Sequence, residues 1–162
     1  MAKNVQAALG GSEQIATPHK NPAQPSSPFG FQFDYTPPPG GYAWWYIDGV
    51  SDDGKNALVI IIFVGSVFSP YYAWKNWNDP SDHCAINVAL YGRPQRWSMT
   101  ERRRRDTTRT PTIYETGNSH VRLVDGALEV EFDAIGALFP QRVLGKVRVD
   151  MPYLNTEPFQ LD

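Results

Sequence analysis

Residues 42–64 read YAWWYIDGVSDDGKNALVIIIFV, and this stretch decides the fold. Tyr42 to Asp48 is aromatic and β-branched, which suits a pleated, half-buried strand. Ser51-Asp52-Asp53-Gly54 supplies turn residues, and Asn56 to Val64 then forms an apolar run. Two such runs around an Asp-Gly turn predict a β-hairpin.

The same grammar continues down the chain. His83 to Tyr91 reads as a strand closed by Gly92-Arg93-Pro94, with Gln95 to Glu101 as its partner. His120 to Val124 and Ala127 to Asp133 flank Asp125-Gly126 as a further hairpin. Arg142 to Asp150 alternates Val143, Val147 and Val149 with Arg142, Lys146 and Arg148, although Leu144 and Gly145 break the pattern. About eight strands at short spacing, without a long amphipathic helix, predict an all-β antiparallel barrel or sandwich. No fixed-period repeat suggests a solenoid.

Residues 1–39 have the composition of a polar, Pro-rich leader, disordered or lying extended along a domain at 40–162. Pro18, Pro22, Pro25 and Pro28 recur, Pro37-Pro38-Pro39 forms a stiff end, and Phe29, Phe31 and Phe33 alternate as an edge strand would. With 15 basic against 17 acidic side chains, nothing in the charge total calls for nucleic acid. The single cysteine, Cys84, points to a reducing compartment. Met1 to Gln14 is too polar for a secretion signal, and the apolar stretch Ala57 to Phe68 is far short of the roughly 20 residues of a spanning helix. The expected location is cytoplasmic, soluble or peripheral at the inner membrane.

Four segments carry side chains fit for chemistry. In Tyr42 to Asp48, alternation puts Tyr42, Trp44, Tyr46 and Asp48 on one strand face. A carboxyl among aromatic rings can be held protonated, and ring faces stabilise a nearby cation. The plainer reading makes the aromatics packing residues and Asp48 the opening of a turn at Gly49. Val64 to Trp74 runs from strand into Gly65, Ser66 and Pro70 and then into Tyr71, Tyr72 and Trp74, as either the mouth of an apolar cavity or a plug. Asp82-His83-Cys84 has metal-ligand or Cys–His atom types, but neighbouring strand residues point apart, so a capped strand start is expected. Glu101-Arg102-Arg103-Arg104-Arg105, with Arg109, reads as a solvated loop or a membrane-surface contact.

Several of these stretches together resemble the carotenoid 1,2-hydratase (hydroxyneurosporene synthase) family. They are Pro39 to Asp48, Ser51 to Gly54, Phe63 to Trp74, His83 to Gly92 and Trp97 to Arg102, in family order over roughly residues 28–162. The resemblance implies two lipocalin-like β-barrel domains, of which this chain is similar to the first. It also implies acyclic carotenoid substrates such as neurosporene and lycopene, and no cofactor. The reaction would protonate a terminal alkene and capture the tertiary cation with water, with Asp48, or else Asp82 or Glu101, as the acid. Tyr42, Trp44, Tyr46, Tyr71, Tyr72 and Trp74 would contact the polyene. Family members are longer, so the resemblance leads us to expect that this chain is a truncated N-terminal half, inactive alone, missing a second barrel domain that holds most of the catalytic acid and aromatic residues. The competing expectations are a non-catalytic lipocalin-like domain that binds an apolar polyene and a remnant without ligand.

Overall fold

Alternating side chains leave each strand with one apolar face, and that face must meet another sheet. The computed structural model describes residues 5–10, 32–135 and 142–150. Among them, β1 (Val5–Gly10), β2 (Ala43–Ser51), β3 (Ala57–Val64), β4 (Cys84–Tyr91) and β5 (Arg96–Arg102) form one sheet, in chain order. A second sheet runs β10 (Arg142–Asp150), β9 (Ala127–Ile135), β8 (Ser119–Val124), β7 (Ile113–Thr116) and β6 (Thr107–Thr110). All neighbours pair antiparallel. A five-residue helix, α1 (Pro70–Trp74), and two 3-10 turns are the helical pieces among the described residues.

The expected barrel is therefore found as two facing sheets, and among the described residues no ladder closes them into a cylinder. Where β5 approaches β10 the link is a side chain: the Arg96 guanidinium donates to the Arg142 carbonyl at 3.3 Å. Between the sheets, Trp45, Ile47, Ile60, Ile62, Ile86 and Val88 meet Tyr114, Val121, Leu128, Val130, Phe132 and Val143 in one buried cluster. Tyr114 is fully buried, and its hydroxyl donates to the Phe63 carbonyl across the interface at 2.7 Å. Burial pushes its phenol pKa well above the usual range.

The hairpins sit where turn chemistry put them. Asp125 and Gly126 have φ of 48° and 75°, the paired left-handed residues of a two-residue hairpin turn. β2, however, continues through Asp48 and Gly49 to Ser51, so Asp48 lies within the strand and does not open a turn. The β6–β7 hairpin was not anticipated, nor was β1, which pairs with β2 from within the expected leader.

Phe33 departs further from the leader reading, because it is part of the core. Its ring stands edge-on to Trp45 at 5.2 Å. Arg109 fixes this segment: its guanidinium donates to the carbonyls of Phe33 (3.1 Å) and Tyr35 (2.7 Å), to Thr36 Oγ1 and to Ser81 Oγ. Phe29 and Phe31 of the expected edge strand lie outside the described residues, as do Pro18, Pro22, Pro25 and Pro28.

The break at Leu144-Gly145 has a packing reason. Val143, Gly145, Val147 and Val149 face inward, and Gly145 stands opposite Phe132, whose ring occupies the space a Cβ would need. Leu144 points outward beside a charged ladder on β7 to β10, where Arg142 pairs with Asp133, Lys146 with Glu131, Arg148 with Glu129 and Arg122 with Glu115. Hydrogen bonds from Lys146 and Arg142 lower the Glu131 and Asp133 pKa values, as expected of a solvent-facing ladder.

Two substitutions test this packing. Gly145→Ala should destabilise the fold by about 1–3 kcal/mol through the clash with Phe132, read as a lower midpoint in urea. Arg109→Lys keeps the charge but loses the planar fork, and should cost on the order of 1.5–3 kcal/mol. An unchanged midpoint in either variant would contradict the corresponding contact.

Candidate functional site

The outward face of the first sheet differs sharply from the charged ladder of the second. Strand register aligns Trp44, Phe63, Ala85 and Glu101 in one row across β2 to β5. Tyr46, Ile61, Asn87 and Met99 form the next row, and Asp48, Val59, Ala89 and Trp97 the third. Most of these side chains are half-buried, while Phe63 and Ala85 are buried and Trp97 is exposed. Ring contacts run from Tyr42 to Trp44 (5.7 Å), Trp44 to Phe63 (6.2 Å) and Phe63 to Phe68 (5.5 Å). The Trp97 indole N–H donates to Asn87 Oδ1 at 2.6 Å, so one polar atom satisfies another and the ring is left on the surface.

Tyr42, Trp44, Tyr46 and Asp48 thus share one face, as alternation predicted, and that face points away from the core. Asp48 is half-buried in it. The Tyr46 phenol is pushed up by burial and then by the charges of Asp48 and Tyr91, which places those groups within electrostatic reach of one another. The surface can lie against a long apolar molecule while presenting ring faces and two carboxylates, Asp48 and Glu101.

Glu101 closes the first row and is not a free loop residue. His83 Nδ1 donates to its Oε1. His83 is 2 % exposed, its ring stacks on Tyr72 at 4.9 Å, and its buried Nε2 has no hydrogen-bond partner among the described residues. Tyr72 is itself fully buried, with its hydroxyl donating to the Gly41 carbonyl at 2.8 Å. That position removes Tyr72 from contact with a ligand on the outer face. Tyr71 and Trp74 are exposed and pair with each other at 5.4 Å, separately from the ring chain on the sheet.

The Ser66–His83 segment is wound tightly around this pair. Gly65 has φ of +74°, and a Cβ there would lie 2.7 Å from the Gly41 carbonyl, so only glycine fits. Ser69 caps α1 by accepting from the Tyr72 amide at 3.0 Å. Asp79 likewise caps the 3-10 turn Pro80–Asp82 through the Ser81 amide. Cys84 points into the core, where burial raises its thiol pKa, and His83 points to Glu101, so the two do not meet. Burial alone would raise the Asp82 pKa, but Lys75, the Arg104 amide and Arg103 bring it below the usual range. Arg104 also pairs with Asp79 at 3.0 Å, so part of the basic run is tied to this segment.

The pairing of His83 with Glu101 was missed in the sequence. A signal existed: extending the β4–β5 register by one residue at its open end sets His83 opposite Arg103 and diagonal to Glu101 on the same face, within reach of its long side chain.

Comparison with known proteins gives this surface a context. The chain is 52 % identical over 124 residues to an acyclic carotenoid 1,2-hydratase of Rubrivivax gelatinosus, covering 73 % of this chain and 30 % of that protein. It is 47 % identical over 137 residues to an acyclic carotenoid 1,2-hydratase of Thiocapsa roseopersicina, covering 82 % and 34 %. A hydroxyneurosporene dehydrogenase of Chlorobaculum tepidum is 50 % identical over 63 residues, covering 33 % and 16 %. The chain thus spans about a third of the length of the first two relatives. No solved structure matches it. The family described as carotenoid hydratase CrtC matches residues 60–162, from the middle of β3 through Glu101 and the whole second sheet, and the chain belongs to that family.

Proposed function

We propose that this chain is the N-terminal part of an acyclic carotenoid 1,2-hydratase, and that the outer face of β2 to β5 forms one wall of its polyene site. The observation that carries this reading is the aromatic face itself. One outer face of the sandwich is a charged ladder, whereas the other is lined by Trp44, Tyr46, Ile61, Met99 and Trp97. A contiguous apolar surface of this kind marks a ligand or partner site.

Hydration of a terminal trisubstituted alkene begins with a proton added to the less substituted carbon. The tertiary cation that results is captured by water, which then gives up a proton and restores the acid. The C=C π bond and one O–H bond of water are replaced by one C–H and one C–O bond with no net loss of electrons, so the reaction calls for no redox cofactor. Ring faces at Trp44 and Tyr46 would stabilise the cation. Asp48, in the third row, is the carboxyl we assign as proton donor within this chain, with Glu101 as the other acid on the face. The remainder of the relatives' length, a second lipocalin-like β-barrel domain in this reading, would cover the face, exclude water from the polyene and contribute further acid and aromatic groups.

A chimera tests the reading: this chain replaces the matching third of the Rubrivivax gelatinosus relative. It should convert lycopene or neurosporene to a product carrying one oxygen from labelled water. A folded chimera that binds the polyene without hydrating it would favour a non-catalytic polyene-binding domain. Trp44→Ala with Tyr46→Ala should weaken carotenoid binding at least about tenfold, or roughly 1.4 kcal/mol, as read from the visible absorption shift. Asp48→Asn should retain binding and lose hydration; full activity in that variant would remove Asp48 from the mechanism.

A further inference from the structure

We propose that the end of the sandwich carrying α1 and the basic run docks on an anionic phospholipid bilayer, with Phe68, Tyr71 and Trp74 entering the headgroup region beside Lys75, Arg103 and Arg105. These aromatics are the least covered large rings of the region, with 55 %, 60 % and 75 % of their surfaces in water. A mobile loop could expose such groups at little cost in order, but this one is fixed. Ser69 caps the helix, Tyr72 is locked beneath it against His83 and the Gly41 carbonyl, and the Trp77 carbonyl accepts from the Gly40 amide at 2.6 Å. The fold therefore holds the rings in water on a rigid support. Tyr and Trp have an apolar body with a polar edge, the combination that settles at a membrane–water interface.

The charge at this end has the matching sign. The Arg104 amide donates to Asp82 at 3.2 Å, its guanidinium pairs with Asp79, and Lys75 pairs with Asp82, so the aromatic helix and the basic run form one surface. Lys75 and Arg102 to Arg105 outnumber Asp79, Asp82, Glu101 and Asp106 there by one, with Arg105 lying 3.6 Å from Asp106, although the chain as a whole carries a net charge of −2. A locally positive patch on a slightly acidic protein is drawn to anionic lipid, with a strength that falls as salt screens it. Among the described residues no helix is long and apolar enough to cross a membrane, and a surface contact needs none.

The test is flotation of the full chain with vesicles of phosphatidylcholine alone and of phosphatidylcholine mixed with phosphatidylglycerol. It needs no carotenoid, so it can succeed or fail independently of the hydratase reading. The chain should float with the mixed vesicles at least tenfold better than with the neutral ones, and high salt should erase that difference. Tyr71→Ser with Trp74→Ser should lower binding to both at least tenfold. Arg103→Gln with Arg105→Gln should remove only the gain due to phosphatidylglycerol. All four positions are exposed, and an unchanged thermal midpoint will show that the variants are folded. Failure to float with the mixed vesicles, or equal flotation of the Tyr71/Trp74 variant, overturns the proposal. So does sedimentation showing that these two aromatics hold two copies together while the vesicles stay empty; the surface would then be a protein interface.

Discussion

The hydrogen bond from Tyr114 to the Phe63 carbonyl fixes how the two sheets meet, and with it which side of each strand faces outward. Tyr114 belongs to the short second-sheet strand β7, and Phe63 to the most apolar strand of the first. A buried phenol needs a partner, and a carbonyl across the gap provides one only in a single register. Side chains alternate with period two, so a slip of one residue in β3 would exchange Ile60, Ile62 and Val64 for Val59, Ile61 and Phe63. The core would then hold the residues that now line the outer surface. The bond is modest in energy, but it selects between two nearly equally hydrophobic faces of the same strand.

That near-equality is the physical oddity of the first sheet. In an antiparallel sheet with one wet face, strands ordinarily alternate apolar and polar side chains. The second sheet does so: β9 and β10 place valine, leucine and phenylalanine inside and pair Asp133, Glu131 and Glu129 with arginine and lysine outside. β3 is apolar on both faces, and β2 adds Trp44 and Tyr46 to its outer side. Strands buried on both faces read as continuous apolar runs, so the first sheet has the composition of a layer with something on each side. The second sheet has the composition of a layer facing solvent.

How much of this was legible depended on whether the signal was local. The Asp-Gly turns and alternating apolar residues gave the hairpins around residues 51–54 and 125–126, because turn geometry is written in two to four residues. The shared face of Tyr42, Trp44, Tyr46 and Asp48 was equally legible, since it follows from the pleat. Which way that face points was not, because both faces of β2 and β3 are apolar and only the opposing sheet decides. The β6–β7 hairpin was hidden because Thr107, Thr108, Thr110 and Thr112 look polar; their β-branching was the overlooked signal. Phe33 looked like part of a leader because its neighbours are polar and Pro-rich, and the arginine that holds its backbone lies 76 residues away.

Gly65 shows how one backbone position connects these features. Its left-handed φ turns the chain out of β3 directly beneath the Gly41 carbonyl, the same atom that accepts from Tyr72. Its amide donates to the carbonyls of Pro80 and His83, which sets the start of β4 and the side of the sheet that His83 occupies. His83 then reaches Glu101 at the end of the aromatic row, while Tyr72, stacked on His83, supports the helix that carries Tyr71 and Trp74. A side chain at position 65 would press on Gly41 and Pro80 together. It would disturb the approach to β2 on one side and the imidazole–carboxylate pair on the other. The aromatic sheet face and the aromatic helix are therefore not independent surfaces: they hang from one turn that admits no Cβ.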